Sequence, residues 1–518
     1  MKKVGYLGLS LMLIALVTGS ALAEIPAGFN LSGAIDAPYT YRSKELNTFL
    51  NGELTTSDFI LSPLFTVNTR WDLKSKVTVF GSFENRRLVS VPTAASRGTG
   101  TPTEFGGGVN MTPAITQAYI KVNEFLSPKL AMTYGIQDLN FTLRKGEGAF
   151  FMHPAASLSP SNAIPLDMNA VLRTNPGVSG IPEARIKGVS EFSGFNFNFG
   201  SMKDDNYALC VFWGKTLETV IAPGTAAVSG QRNEDLLLGA NLAYKLPGEN
   251  NVLKVLLSQM TNPSTNMSIM TLGVGADYFG AMPNLEIYGE AYTQSGTFCK
   301  DTTPGNTSFG KDVDQAAMAY RVGGQYNFAN SPIKPWIGIS YWFIDGGNDS
   351  NVYKLGSTKY TENNHFISYE DVQSTMILED NLWGLNLNSN YNAIKIEAGI
   401  TTSLTLAGEK KNLDLKLLAG SFTLNKVPWV RNPGVDNLLY TPDDVAQKTK
   451  DALGTEIDIV ASLRYTENLT ISLGLGMLTG GNFFDSIEVD DANNTTKRLD
   501  NESFDSMTMV TFGANVKF

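Results

Sequence analysis

Apolar and polar residues alternate with period two over stretches of about ten residues, and these stretches come in pairs along most of the chain. The clearest pair sets Ile457, Ile459, Ala461, Leu463 and Tyr465 against Glu456, Asp458, Ser462 and Arg464. It turns at Thr466-Glu467-Asn468 and resumes with Leu469, Ile471, Leu473, Leu475 and Met477 against Thr470, Ser472, Gly474 and Gly476. Two strands with one greasy face each and a short polar turn between them form a hairpin. The same plan predicts hairpins of Leu236 to Tyr244 with Val252 to Met260, Leu272 to Tyr278 with Leu285 to Ala291, Tyr320 to Phe328 with Trp336 to Phe343, and Phe65 to Trp71 with Val77 to Phe83. Proline and glycine gather in the turns, where no ladder donor is lost.

Between hairpins run long segments, roughly residues 88–113, 138–180, 216–235, 294–315, 345–371, 424–453 and 479–505, rich in Gly, Pro, Asn, Asp, Ser and Thr. Short turns at one end and long loops at the other match the two sides of an outer-membrane β-barrel. The first strand of each hairpin also ends in an aromatic on its apolar face: Trp71, Tyr244, Tyr278, Phe328 and Tyr465, with Phe518 closing the chain. Rings at one height form a girdle where hydrocarbon meets headgroups. Counting alternating segments gives about twenty strands, with an error of about two. Between 345 and 425 the up-and-down parity does not close, because Leu382 to Leu387, Ile394 to Ile400 and Leu413 to Phe422 supply one strand too few or too many.

The two ends agree with this picture. The last strand alternates Val510, Phe512, Ala514, Val516 and Phe518 with Thr511, Gly513, Asn515 and Lys517, the pattern of a closing barrel strand and a handle for the barrel assembly machinery. Residues 1–23 read as a cleaved signal peptide: Lys2 and Lys3, the apolar run Val4 to Val17, then Ala21-Leu22-Ala23 before Glu24. No later apolar run is long enough to span a bilayer as a helix, so a membrane-spanning form must be a barrel. Residues 24–518 are expected to be one barrel domain, since no linker or compositional shift divides them.

Composition narrows the function. The formal charge is −10, and removal of the leader's two lysines leaves 38 basic against 50 acidic residues, or −12. That acidity excludes nucleic acid as a natural partner. Cys210 and Cys299 are far apart in sequence, and spacing does not say whether they pair. The polar face of the strands nominates lumen groups of both signs: Arg70, Lys121, Glu183, Arg185, Lys187, Glu286, Glu290, Arg321, Lys395, Glu397, Glu456, Asp458 and Arg464. Single charges of this kind often just solvate one another, but together they would orient polar solutes. Within 138–180, Arg144, Lys145, Glu147 and Arg173 mark the loop expected to fold inward as a constriction, an exterior loop being the alternative.

Two stretches resemble the alginate-export family of outer-membrane porins. Gly454-Thr455-Glu456-Ile457-Asp458 with the hairpin that follows resembles that family's closing Gly-x-Glu-Ile-Asp block. Ala118-Tyr119-Ile120-Lys121 through Tyr134-Gly135-Ile136-Gln137 resembles its Ala-Tyr strand paired with a Gly-Arg-Gln strand, here with Ile136 in place of the arginine. The resemblance implies a single barrel of about 18 strands for diffusion or export of polar solutes. The lost arginine and the acidic balance argue against the family's strongly basic polymer-exporting pore.

The expectation is therefore an all-β, antiparallel up-and-down transmembrane barrel of about 18 strands, within a range of about 16 to 20. It would sit in the bacterial outer membrane and pass small polar solutes, saccharides and oligosaccharides among them, without a cofactor or metal. Three rivals were weighed. A hydrolase has only His153 and His365 for proton transfer near neutral pH, and no Gly-x-Ser-x-Gly stands by either. An energy-coupled receptor needs an amino-terminal plug, yet alternation begins at Phe29. A secreted soluble β-rich adhesive protein would stay dispersed without detergent. The loop Asp345 to Asn351 spaces oxygen ligands as calcium sites do, but lacks the final carboxylate, so turn chemistry accounts for it better.

Overall fold

The computed structural model describes residues 28–43, 58–61, 64–73, 76–88, 110–137, 139, 192–219, 233–248, 250–262, 267–280, 282–299, 313–346, 362–364, 366, 374–379, 387, 390–427, 429–432, 445–448, 450–483 and 506–518. Their sheet is a closed, antiparallel barrel of 18 strands that pair in chain order. The strands are β1 (Phe29–Asp36, continued by Tyr39–Arg42), β2 (Asp58–Leu61, continued by Leu64–Leu73), β3 (Val77–Leu88), β4 (Asn110–Val122), β5 (Leu130–Gln137) and β6 (Phe192–Gly200). There follow β7 (Tyr207–Thr219), β8 (Asn233–Lys245), β9 (Val252–Asn262), β10 (Met267–Tyr278), β11 (Leu285–Cys299) and β12 (Val313–Asn327). The last six are β13 (Trp336–Ile344), β14 (Tyr391–Leu406), β15 (Glu409–Leu424), β16 (Ala452–Arg464), β17 (Leu469–Gly480) and β18 (Ser506–Lys517).

Both halves of β1 keep one register. Against β18, Ala34 faces Lys517 and Tyr39 faces Phe512; against β2, Phe29 faces Trp71 and Tyr39 faces Leu61. The first and last strands thus make the seam, where Gly33 and Phe518 exchange backbone hydrogen bonds of 2.9 and 3.0 Å. The Phe518 ring stacks on Phe65 at 6.3 Å across it.

Alternation places the apolar rows outside. Leu257, Leu272, Val274, Val322, Ile337, Ile339, Ile394, Ile396 and Leu473 are all exposed on the outer face. A monomer in water does not expose so continuous an apolar surface, so the medium that fits it is hydrocarbon. Trp71, Tyr244, Tyr278, Phe328, Tyr465 and Phe518 are exposed at the short-turn end of this band, Phe328 one residue past β12. On that rim Lys129 donates to Asp205 at 2.5 Å and ties two neighbouring turns. Its hydrogen bond holds the Asp205 carboxyl below the usual carboxylate range.

Rings inside the barrel lie down on glycines. Phe212 covers Gly239, Tyr288 covers Gly323, Phe422 covers Gly420 and Trp336 covers Gly399, each filling the space a Cβ would take. Gly239→Val would drive a branched side chain into the buried Phe212 ring. We expect it to cost about 1–3 kcal/mol by overpacking, read as a lower urea midpoint for barrel unfolding in detergent.

One expectation is corrected by the pairing. β13 pairs directly with β14, Trp336 facing Gly399 and Ile344 facing Tyr391, so Leu382 to Leu387 adds no strand to the wall. Leu387, the described member of that stretch, is buried, and its N–H donates to Leu378 O at 2.7 Å. Its apolar character reflects burial by other segments, not a place in the wall. The 18 strands of the wall fall within the expected range of about 16 to 20. Trp429–Asn432 and Val445–Lys448 pair only with each other, and Glu362–Asn363 adds a short parallel pairing to β12. Of the calcium-like loop, Asp345 is described: its carboxylate accepts from Gly346 N at 3.0 Å and lies 3.4 Å from Lys426 Nζ.

Candidate functional site

The inner wall divides by hydration. Toward the short turns its charges meet water: Arg70 pairs with Asp72 at 2.9 Å, their side chains 56% and 38% exposed, and Thr78 Oγ1 donates to Asp72 at 2.6 Å. Lys416 pairs with Glu397 at 3.2 Å and remains 45% exposed. Asp414, which accepts from Thr401 Oγ1 at 2.7 Å, is exposed beside them, as is Arg464 farther down the wall. Lys121 shares this inner row, facing Thr78 and Thr133. Long side chains held half-wet on the concave face of a closed sheet require an aqueous interior there.

Higher on the wall, β11 to β16 carry charges that are fully enclosed. Arg321 forms an ion pair with Glu290, both side chains 1% exposed. Tyr292 donates its hydroxyl to Glu290 at 2.7 Å, and the guanidinium lies 5.1 Å from the Trp342 ring centroid. The other face of the cluster is Lys395, whose ammonium sits 3.6 Å from the same indole. Trp342 is held in place by donating Nε1–H to Ser340 Oγ at 2.8 Å. Two cations therefore share one ring, each neutralised by its own carboxylate; for Lys395 that is Glu379, at 2.5 Å.

Glu379 belongs to no strand. It ends residues 374–379, a piece of the β13–β14 connection that turns into the barrel and lies on the wall. Every backbone N–H of this piece is satisfied by a side-chain oxygen. Ser374 and Thr375 donate to Glu379 Oε2 at 3.1 and 3.2 Å, and Met376 to Asp458 Oδ2 at 3.0 Å. Ile377 and Leu378 donate to the two oxygens of Glu456 at 2.5 and 2.8 Å, and Glu379 N to Thr375 Oγ1 at 3.1 Å. Tyr391 donates its hydroxyl to Glu379 Oε1 at 2.6 Å, and Lys395 Nζ donates to Ser374 Oγ at 2.7 Å. Irregular backbone buried against the wall, away from water, needs such complete pairing.

Of the residues nominated from sequence, Arg70, Lys121, Glu286, Glu290, Arg321, Lys395, Glu397, Glu456, Asp458 and Arg464 lie on the inner face. The structure brings Glu290 together with Arg321, Glu397 with Lys416, and Lys395, Glu456 and Asp458 with the inward segment. Glu183, Arg185 and Lys187 fall outside the described residues, as do Arg144, Lys145, Glu147, Arg173, His153 and His365. The inward segment that is described comes from the β13–β14 connection. Glu379, Trp342 and Lys416 were missed, the first because it sits in a loop, the second because its ring reads as apolar. Cys210 carries a free thiol that donates to Asn196 Oδ1 at 2.9 Å, and the side chain of Cys299 lies outside the described ones.

The fold and wall together define a closed β-barrel whose outer surface suits lipid and whose inner surface suits water and ions. No family model matches the chain, and no curated protein does. Among solved structures it is similar to OpdK of Pseudomonas aeruginosa, solved with vanillate: 8% identity over 94% of this chain and 98% of that one, TM-score 0.45. It is similar to OccK8 (OprE) of the same organism, at 11% identity over 94% and 98%, TM-score 0.44. It is also similar to the anion-selective porin of Comamonas acidovorans, at 10% identity over 95% and 99%, TM-score 0.38. At these scores the likeness decides nothing about this chain, and its barrel rests on its own strand pairing.

Proposed function

We propose that this protein is an outer-membrane channel through which small polar solutes diffuse passively. The observation that carries the reading is the pair of faces on one closed sheet, hydrocarbon-compatible outside and charged and partly hydrated inside. Cargo must be held weakly and repeatedly if it is to leave again, and a wall of paired charges does that better than a single strong site. Hydroxyl-rich solutes, saccharides among them, suit the exposed polar groups of the inner wall, such as Asn412 and Asp414 on β15. In this reading residues 1–23 are the export leader and the strand ending at Phe518 is what the assembly machinery grips. Of the alginate-export-like reading we keep the diffusion barrel and not alginate itself, because described inner-wall cations such as Arg321 and Lys395 are matched by carboxylates.

Reconstitution in planar bilayers tests it. Purified protein is expected to give discrete conductance steps, with potassium-to-chloride permeability within about threefold of unity, as a mixed wall requires. A strong anion preference would restore the polymer-export reading, and a protein that stays monodisperse without detergent and forms no channels would end this one in favour of the soluble adhesive alternative.

A further inference from the structure

The seat beneath residues 374–379 is built from three strands of the wall. β16 supplies Glu456 and Asp458 as acceptors for three consecutive N–H groups. β14 supplies Lys395 and Tyr391, which close on Glu379. β17 supplies Gly474 and Gly476: a Cβ on Gly474 would stand 2.9 Å from Met376 Cε, and one on Gly476 3.0 Å from Met376 Cβ and 3.4 Å from Ile377. Thr375, Ile377, Leu378 and Glu379 are buried in this seat, while Ser374 and Met376 are half-buried. From β14 to β17 the segment crosses three strand spacings, about 14 Å of inner wall.

We propose that residues 374–379 form a fixed sill that sets the size limit of the channel, with Glu456 and Asp458 as its anchoring residues. The proposal rests on the channel reading. A loop that only happened to fall inward would leave N–H groups facing water and would not need glycines opposite it. Here three of the six backbone donors are taken by wall carboxylates and the other three by side chains of the segment itself, and the wall is thinned to receive it. Such a segment stays put while solute passes, so it acts by narrowing the lumen and not by opening and closing.

The test is single-channel recording of the full chain in planar bilayers, with polyethylene glycols of graded size as the probe of pore width. The double variant Glu456→Gln/Asp458→Asn weakens the acceptors without removing volume. It is expected to raise conductance by about twofold, add frequent substates and admit larger polymers than the wild type. Asp414→Asn, which also removes a lumen carboxylate but touches no part of the segment, is expected to alter ion preference and leave the polymer cut-off where it was. Gly476→Val disturbs the seat from β17 without changing charge and is expected to act like the double variant; it carries the test should the carboxylate variant fail to show the heat-sensitive gel mobility of a folded barrel. Unchanged conductance and cut-off in folded anchor or seat variants would overturn the sill and leave the channel reading intact. Absence of channels from the wild type would overturn the channel reading itself.

Discussion

Arg321→Ala is expected to destabilise the folded barrel by about 3–5 kcal/mol, because it leaves the Glu290 carboxylate enclosed without the cation that pairs with it. Both side chains of this pair are 1% exposed, so water does not screen the loss. The Tyr292 hydroxyl, which donates to Glu290 at 2.7 Å, compensates a small part of a full charge. The check is urea-induced unfolding in detergent micelles or vesicles, followed by tryptophan fluorescence; Trp342, 5.1 Å from the guanidinium, reports locally as well. Replacing both partners, as Arg321→Met with Glu290→Gln, should recover most of the loss, since the larger cost lies in stranding one charge and not in lacking the pair. A double variant as unstable as the single one would mean that the cluster is held by packing around Trp342 instead.

The second large effect concerns which face meets lipid. Leu272 lies at the middle of β10, exposed on the outer face beside Leu257 of the neighbouring strand. Leu272→Arg is expected to cost about 2–4 kcal/mol of folding free energy in a bilayer, the usual penalty for arginine near the midplane. The same residue placed at Asn412, exposed on the inner wall opposite Arg464, should change stability by less than about 0.5 kcal/mol, because water reaches that site. Refolding both variants into vesicles against a urea series gives the comparison directly. Equal costs at the two positions would mean that the faces had been assigned backwards or that no bilayer surrounds the protein.

How far the chain was legible follows from what each signal measures. The hairpin Ala452–Arg464 with Leu469–Gly480 was readable to the residue, because lipid outside and water inside differ in polarity and the alternation records that difference. Tyr244, Tyr278 and Tyr465 were readable because a ring at the rim has a distinct place to sit. The inward segment was not. Leu382 to Leu387, a few residues further on, looks like wall because an apolar pattern reports burial and says nothing of what does the burying. The segment's seat did leave a trace: on the inner face of β16 Asp458 stands against Gly476 and Glu456 against Leu478, with Gly474 next along β17, so two carboxylates face a stretch of wall that offers them no donor side chain. Glu379 could not be placed from sequence at all, since the pairing that defines it spans 16 residues of chain through an irregular connection.

The seam has a bearing on how the molecule comes to exist. It joins residues as distant as Ser43 and Thr508, 465 positions apart, and the reciprocal bonds of Gly33 with Phe518 form only when both rims have met. Until that moment the growing sheet is an open ribbon with two unpaired borders, each able to recruit a stranger strand. Closure over such a distance is slow by its entropy alone. A chain built this way gains from an escort that shields both borders until its two ends dock.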